Sequence, residues 1–148
     1  MGDQSFWELC QDGDIEEVQA AIDNGADVNE ATLKGATGLM WALREGHNNV
    51  VQLLLHNPQT DFNKVDINGC SALHEAVAVD NHEGMEALLA RHDDLNTIIN
   101  QRNRWGETLI ITAVCWNSVN CFHLLLTNPL VDLDTRDDYE RTSKEVHR

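Results

Sequence analysis

An eight-residue phrase occurs three times in this chain, and its recurrence constrains the fold more than any single residue does. The copies begin at Gly35, Gly69 and Gly106, so the offsets are 34 (69 − 35) and 37 (106 − 69) residues. Units of this length are too short to enclose a hydrophobic core alone, so neighbouring units must stack and share one. The period therefore predicts a stacked repeat architecture, which usually forms binding surfaces and rarely catalytic pockets.

Each unit predicts two helices separated by a turn. In the second unit, Thr37 can cap a helix through its hydroxyl, and apolar residues follow it at helical spacing. Gly46 ends this helix, and a more apolar helix follows over residues 50–55 until Pro58 stops it. The pattern within one unit is therefore turn, helix, turn, helix and loop.

Further positions recur in register across the units, and the first unit closes with the phrase Gly-Ala-Asp-Val-Asn at residues 25–29. The recurring residues are Gly35, Thr37, Leu39, Ala42, Gly46, His47, Val50, Val51, Leu53, Leu54 and Leu55 in the second unit, Asp66, Gly69, Leu73, His74, Ala76, Leu88 and Leu89 in the third, and Gly106, Thr108, Ala113, Leu124, Leu125 and Leu126 in the fourth. These motifs resemble the ankyrin repeat, and the resemblance covers nearly the whole chain.

This resemblance implies an all-α solenoid of stacked helix–turn–helix units joined by short hairpin-like turns, with four repeats and a partial fifth. We expect an N-terminal tail at residues 1–5 and a single repeat domain at 6–148. The expected repeats lie approximately at 6–31, 32–65, 66–102 and 103–136, and the partial fifth repeat lies at 137–148.

Two departures from the family motif carry further expectations. Gly84 stands where the third unit should place a core valine, and glycine costs a helix about 1 kcal/mol relative to alanine. Gly84→Val is therefore expected to raise the melting temperature. The fifth unit ends after one helix and carries Glu140 at the position of the turn glycine. A polar terminal unit suits a cap, and truncation of a longer protein would look the same.

The charge balance limits the classes of partner. The formal net charge is −15, from 25 acidic and 10 basic residues, so nucleic acid and anionic membranes are expected to be repelled. A protein partner with a basic or apolar surface fits better. The sequence also lacks a visible signal peptide and any apolar run of bilayer length. Its four scattered cysteines predict reduced thiols. We expect a cytoplasmic monomer, with the nucleus as the alternative compartment.

The resemblance implies a concave binding face formed by the turn tips and the outward positions of each first helix. Three of the four tryptophans fall at such positions, and aromatic and arginine side chains often anchor interfaces. The alternative is that these rings pack against neighbouring repeats, as is expected of Trp7. The predicted partner-binding residues are Trp41, Arg44, Glu45, Glu75, Arg104, Trp105, Trp116 and Tyr139.

The remaining chemistry-bearing residues do not form a recognised catalytic or metal-binding motif. We therefore expect no enzyme activity, no metal and no cofactor. His47 and His74 occupy positions where the family's histidine bonds to turn backbone, and Cys10, Cys115 and Cys121 are predicted in or beside the core.

The function predicted first is a non-enzymatic scaffold or adaptor that binds a protein. One alternative is modification, because Asn29 and Asn63 resemble the asparagine that an oxygen-sensing asparaginyl hydroxylase modifies in ankyrin domains. The competing interpretation of both residues is an unmodified, turn-forming asparagine. Another alternative is that the chain is a regulatory part of a larger multidomain protein.

Overall fold

The predicted helix pairs are present. The computed structural model describes residues 4–91 and 98–133, and within those ranges the chain forms eight helices and no strand longer than an isolated bridge between Ala31 and Thr37. The helices are α1 (Phe6–Asp12), α2 (Ile15–Asp23), α3 (Gly38–Glu45), α4 (Asn48–Leu55), α5 (Ala72–Ala78), α6 (His82–Leu89), α7 (Leu109–Cys115) and α8 (Val119–Leu126). Tyr139, the predicted fifth unit and most of the long loop after α6 lie outside the described residues.

The eight helices stack in two layers. The first helix of each pair contacts the first helix of the next pair, in the order α1, α3, α5 and α7, and these helices form the inner layer. The outer layer, α2, α4, α6 and α8, follows the same order. The architecture is the all-α repeat solenoid predicted from the sequence. No helix in the described part is long and apolar enough to cross a bilayer.

The inner helix of the second unit, α3, begins and ends where the sequence predicts. Thr37 Oγ1 accepts a hydrogen bond from the Met40 backbone N–H (3.4 Å) and caps α3, and Ser71 caps α5 in the same way. The α3 helix stops at Gly46, whose φ of 77° lies in the left-handed region that glycine adopts without steric cost. These local signals fix the helix boundaries before any packing between units.

The turns that precede the inner helices are bonded to one another. The Ile67 N–H donates to the Lys34 carbonyl (2.9 Å), and the Arg104 N–H donates to the Asn68 carbonyl (2.7 Å). Gly69 has a φ of 74°, and a Cβ there would lie 3.2 Å from Arg104 N. Glycine is therefore required both by the backbone conformation and by the close approach of the next turn.

A second set of bonds joins the units at the start of each outer helix. There a side chain bonds to a backbone carbonyl near the end of the inner helix of the preceding unit. We call these bonds the junction ladder. Its pairs are His47 with Gln11 (2.9 Å), Asn81 with Leu43 (2.9 Å) and Ser118 with Val77. The ladder confirms that His47 bonds to backbone, although the carbonyl belongs to a helix and not to a turn.

Gly84 does not leave the gap that the sequence suggested. A Cβ at this position would lie 2.6 Å from Leu43 Cδ2 and 2.8 Å from Asn81 Nδ2. Leu43 is fully buried, and Asn81 is held by the junction ladder. The space that the stabilising effect of Gly84→Val requires is therefore already filled by Leu43 of the preceding unit and by Asn81, and we now expect the substitution to destabilise the chain.

Candidate functional site

A groove of about 680 Å³ opens between the third and fourth units. Their turns and inner helices, α5 and α7, supply most of its lining, and Arg44 of the second unit reaches its edge. Trp105 and Trp116 line it together with three carboxylate residues, Asp66, Glu75 and Glu107. The groove therefore combines aromatic surface with an excess of acidic side chains.

The two tryptophans of the groove are exposed. Trp105 is 49% exposed at the tip of the fourth turn, and Trp116 is 63% exposed just after α7. The Asn103 side chain fixes the Trp105 backbone through a 3.0 Å hydrogen bond, and the Arg104 guanidinium carbon lies 5.6 Å from the centroid of the Trp105 ring. Large aromatic side chains held on a rigid frame are typical anchors of protein interfaces.

Trp41 is in a different environment. Its ring is only half-buried, but it stacks on Trp7, with 5.9 Å between ring centroids and an interplanar angle of 27°. The guanidinium carbon of Arg44 lies 4.8 Å from the centroid of the Trp41 ring. Trp41 Nε1 is buried with no hydrogen-bond partner among the described residues. Packing between repeats therefore engages Trp41 as well as Trp7.

Arg44 and Glu75 are bound to each other. Arg44 Nη2 donates to Glu75 Oε1 (2.8 Å) and Nε donates to Oε2 (3.2 Å), so the pair is bidentate. The Glu75 side chain is 8% exposed, and its hydrogen bond raises the pKa of Arg44. Two residues predicted to contact a partner thus form an ion pair that joins the second and third units, which leaves their charges largely mutually neutralised.

The other predicted site residues are distributed more widely. Arg104 Nη1 donates to Asn68 Oδ1 (3.1 Å) beside the groove, and Glu45 is exposed at the end of α3. The groove thus brings together Arg44, Glu75, Trp105 and Trp116 of the eight predicted residues. Their role in binding a partner stays a prediction.

Ten of the fourteen described residues that line the groove are outside the predicted set, and three of them bear on its chemistry. Val79 is 46% exposed, Glu107 accepts a 3.0 Å bond from Asn103 Nδ2, and Thr112 is buried. The repeat register already places Thr112 on the expected concave face, because it stands at the position of Trp41 and Glu75 in the preceding units (75 − 41 = 34 and 112 − 75 = 37), although the predicted set omits it.

Among the described residues, one histidine and two cysteines are buried in the stack, and one further cysteine is exposed. His74 Nε2 pairs with the Glu107 carbonyl in the next turn (3.3 Å), as predicted, and burial lowers the pKa of His74, so it is neutral at pH 7. Burial raises the pKa of Cys10 and Cys121 to about 12. Cys115, predicted in or beside the core, is exposed instead. Within the described ranges, no cluster of metal-ligand side chains forms.

The Asn29 side chain makes two hydrogen bonds to the following repeat. Its Nδ2 donates to the Gln59 carbonyl and its Oδ1 accepts from the Asp61 N–H, both at 2.8 Å. Asn100 makes the corresponding pair of bonds with residues 130 and 132. The side chain therefore bonds the following repeat and not its own turn. Hydroxylation of Asn29 and Asn63 stays a prediction, which mass spectrometry of both residues in protein from its native cell checks.

The comparison with known families decides what kind of chain this is. A family model described as ankyrin repeats (3 copies) matches residues 6–99, which include the first three helix pairs. The chain belongs to the ankyrin-repeat family. In proteins of this family such repeats generally mediate contacts with other proteins.

Several much longer proteins are similar in sequence to part of this chain. Alpha-latrotoxin-Lg1a of Latrodectus geometricus is 30% identical over 86% of this chain and 9% of its own length. The human photoreceptor ankyrin repeat protein is 41% identical over 46% of this chain and 16% of its own length. Inversin-B of Xenopus laevis is 45% identical over 32% of this chain and 5% of its own length. The chain therefore spans only a small part of each of these relatives.

Proposed function

We propose that this ankyrin-repeat chain is a non-enzymatic adaptor that binds a segment of a protein partner in the groove between its third and fourth repeats. The observation that carries the proposal is the pair of exposed tryptophans, Trp105 and Trp116, on one groove of about 680 Å³. Exposed aromatic rings in a concave site can be desolvated by a partner at small entropic cost, since the inner helices and turns already fix their backbone.

The charges of the groove specify the chemistry of that partner. Asp66, Glu75 and Glu107 line it with one arginine, Arg44, among the residues that the structure describes, and Arg104 lies beside it. The whole chain carries a formal net charge of −15. Such a field attracts basic segments, and the tryptophans and Val79 offer apolar contact. The expected partner segment is therefore basic and apolar together. The protein is expected to act as a monomer in the cytoplasm or nucleus, without a cofactor.

Selection of peptides from a displayed random library, with the purified chain as bait, tests the proposal. Enriched peptides should combine an arginine or lysine with a bulky apolar residue. Trp105→Ala and Trp116→Ala should each cost the complex about 2 kcal/mol, or roughly thirtyfold in Kd by titration calorimetry. Raising the salt concentration should mainly slow association.

Val119→Ala is the matched control for the two tryptophan variants. Val119 is 51% exposed, close to the exposure of Trp105, but it lies on the outer helix α8. This control should bind as the unaltered chain does, and the circular dichroism of all three variants should be unchanged. Equal binding by the tryptophan variants and the parent would contradict the assignment of the groove. Unfolding of both tryptophan variants would show instead that the rings act in packing.

A further inference from the structure

The repeat register relates two pairs of positions on the inner helices. Arg44 and Ala78 stand at equivalent places in the second and third units (78 − 44 = 34), and Glu75 and Thr112 stand at equivalent places in the third and fourth (112 − 75 = 37). Arg44 bridges to Glu75 of the following unit. One unit along the stack, the same bridge would run from Ala78 to Thr112, and an alanine cannot make it.

The missing bridge coincides with the groove. Ala78 and Thr112 both line it, so the volume that an arginine at position 78 would fill is open. Thr112 is only 3% exposed, and its Oγ1 has no hydrogen-bond partner among the described residues. A buried hydroxyl without a partner costs free energy, and a ligand that bonds to it recovers that cost.

The groups around this open position favour a cation with N–H donors. Glu75 and Glu107 supply carboxylates, Thr112 supplies a buried hydroxyl without a partner among the described residues, and the exposed Trp105 and Trp116 line the same groove. Carboxylate and hydroxyl oxygens accept hydrogen bonds, and indole faces attract cations. Two arginines are nearby. Arg44 is neutralised by its bidentate bond to Glu75, and Arg104 donates to Asn68 Oδ1 (3.1 Å) with its guanidinium carbon 5.6 Å from the centroid of the Trp105 ring. Because Arg104 already lies by Trp105, Trp116 is the indole that faces the incoming cation in this arrangement.

We propose that the groove receives one arginine or unmethylated lysine side chain of the partner. This side chain lies beside Ala78, which is the equivalent of Arg44 in the third unit. It moves aside the groups that cover Thr112 Oγ1, donates to that oxygen, and shares the carboxylate of Glu75 with Arg44. The inference rests on the proposed function and makes it more specific: the groove selects a basic residue, and the tryptophans hold the apolar residues beside it.

Nuclear magnetic resonance titration with small probes tests the inference. The probes are the N-acetyl amides of arginine, lysine, norleucine and trimethyllysine, each at millimolar concentration, against the isotope-labelled chain. The arginine and lysine probes should shift the backbone signals of Ala78 and Thr112 and the indole signals of Trp105 and Trp116. Norleucine, which lacks the charge, and trimethyllysine, which lacks N–H donors, should bind at least several-fold more weakly.

Three variants locate the basic side chain. Thr112→Val removes the hydroxyl with little change in shape, so it should weaken the arginine probe several-fold while the melting temperature stays equal or rises. Thr112→Glu supplies the carboxylate found at position 75 and should strengthen the probe on the order of tenfold. Ala78→Arg places an arginine of the chain itself in the volume that the probe would occupy, so it should abolish binding. Ala90→Arg, which adds the same charge at an exposed site outside the groove, is its control and should change binding less than about twofold.

The outcomes separate this inference from the proposed function. Equal binding of norleucine and arginine, stronger binding of trimethyllysine, signal shifts confined to other surfaces, or no shift with any probe would each overturn it. Unaltered binding by Thr112→Val would overturn it even if Thr112→Glu failed to fold. Peptides selected without a basic residue but dependent on Trp105 and Trp116 would leave the proposed function standing and the inference refuted.

Discussion

Replacing Asn81 by alanine is expected to lower the free energy of unfolding by about 3 kcal/mol, because one side chain holds three groups in two repeats. Its Nδ2 donates to the Leu43 carbonyl and to Asn48 Oδ1, and its Oδ1 accepts from the Gly84 N–H, all at 2.9 Å. The last bond caps α6, and the first two tie α6 to the preceding unit. Loss of the amide would remove the cap and one rung of the junction ladder together.

Urea denaturation followed by circular dichroism measures this change, with Asn24→Ala as the matched control. Asn24 is exposed at the end of α2, so its replacement should alter the free energy of unfolding by no more than about 0.5 kcal/mol. A loss below about 1 kcal/mol for Asn81→Ala would show that water satisfies the freed groups, and it would remove the energetic importance assigned to the ladder here.

Gly84→Val should lower the free energy of unfolding by about 2 kcal/mol, opposite in sign to what helix propensity alone predicts. Overpacking a filled site costs about 1–3 kcal/mol, and valine adds more volume than alanine. The gain from replacing a helical glycine, about 1 kcal/mol for alanine, offsets part of that cost. The conflict is with Leu43 and Asn81, which would lie within 2.6 and 2.8 Å of the new Cβ.

A double-mutant cycle identifies the source of this effect. In the background of Leu43→Ala, the first of the two conflicting side chains is gone, so Gly84→Val should cost markedly less than it does alone. Thermal unfolding of the two single variants, the double variant and the parent gives the coupling. A higher melting temperature for Gly84→Val alone would restore the original expectation, and additive losses would show that Leu43 is not the obstacle.

The sequence predicts the fold correctly but does not reveal the crowding at Gly84, because the two depend on residues at different distances along the chain. Capping by Thr37 and helix termination at Gly46 depend on neighbours within a few residues, so the local sequence determines them. The space at Gly84 depends on Leu43, which belongs to the preceding unit and comes close only through stacking. A single sequence shows the residue types at both places, but it does not show that they share one volume.

The same limit applies to the candidate site. Trp41 and Trp105 were predicted to act alike because both fall on the expected concave face, yet Trp41 stacks on Trp7 and Trp105 is exposed. Residue type and register place a ring on a face of the stack. Whether that ring is available to a partner depends on the side chain that the preceding repeat presents, as Trp7 does for Trp41.

The junction ladder makes the order of the repeats matter. Its rungs come from an imidazole, an amide and a hydroxyl, at His47, Asn81 and Ser118, and these groups differ in length and in the bonds they can form. Each therefore suits the spacing to the carbonyl of its own preceding unit. Duplication or exchange of a whole unit would bring a side chain of the wrong reach to a junction. The units share one pattern, but each is specific to its place in the chain.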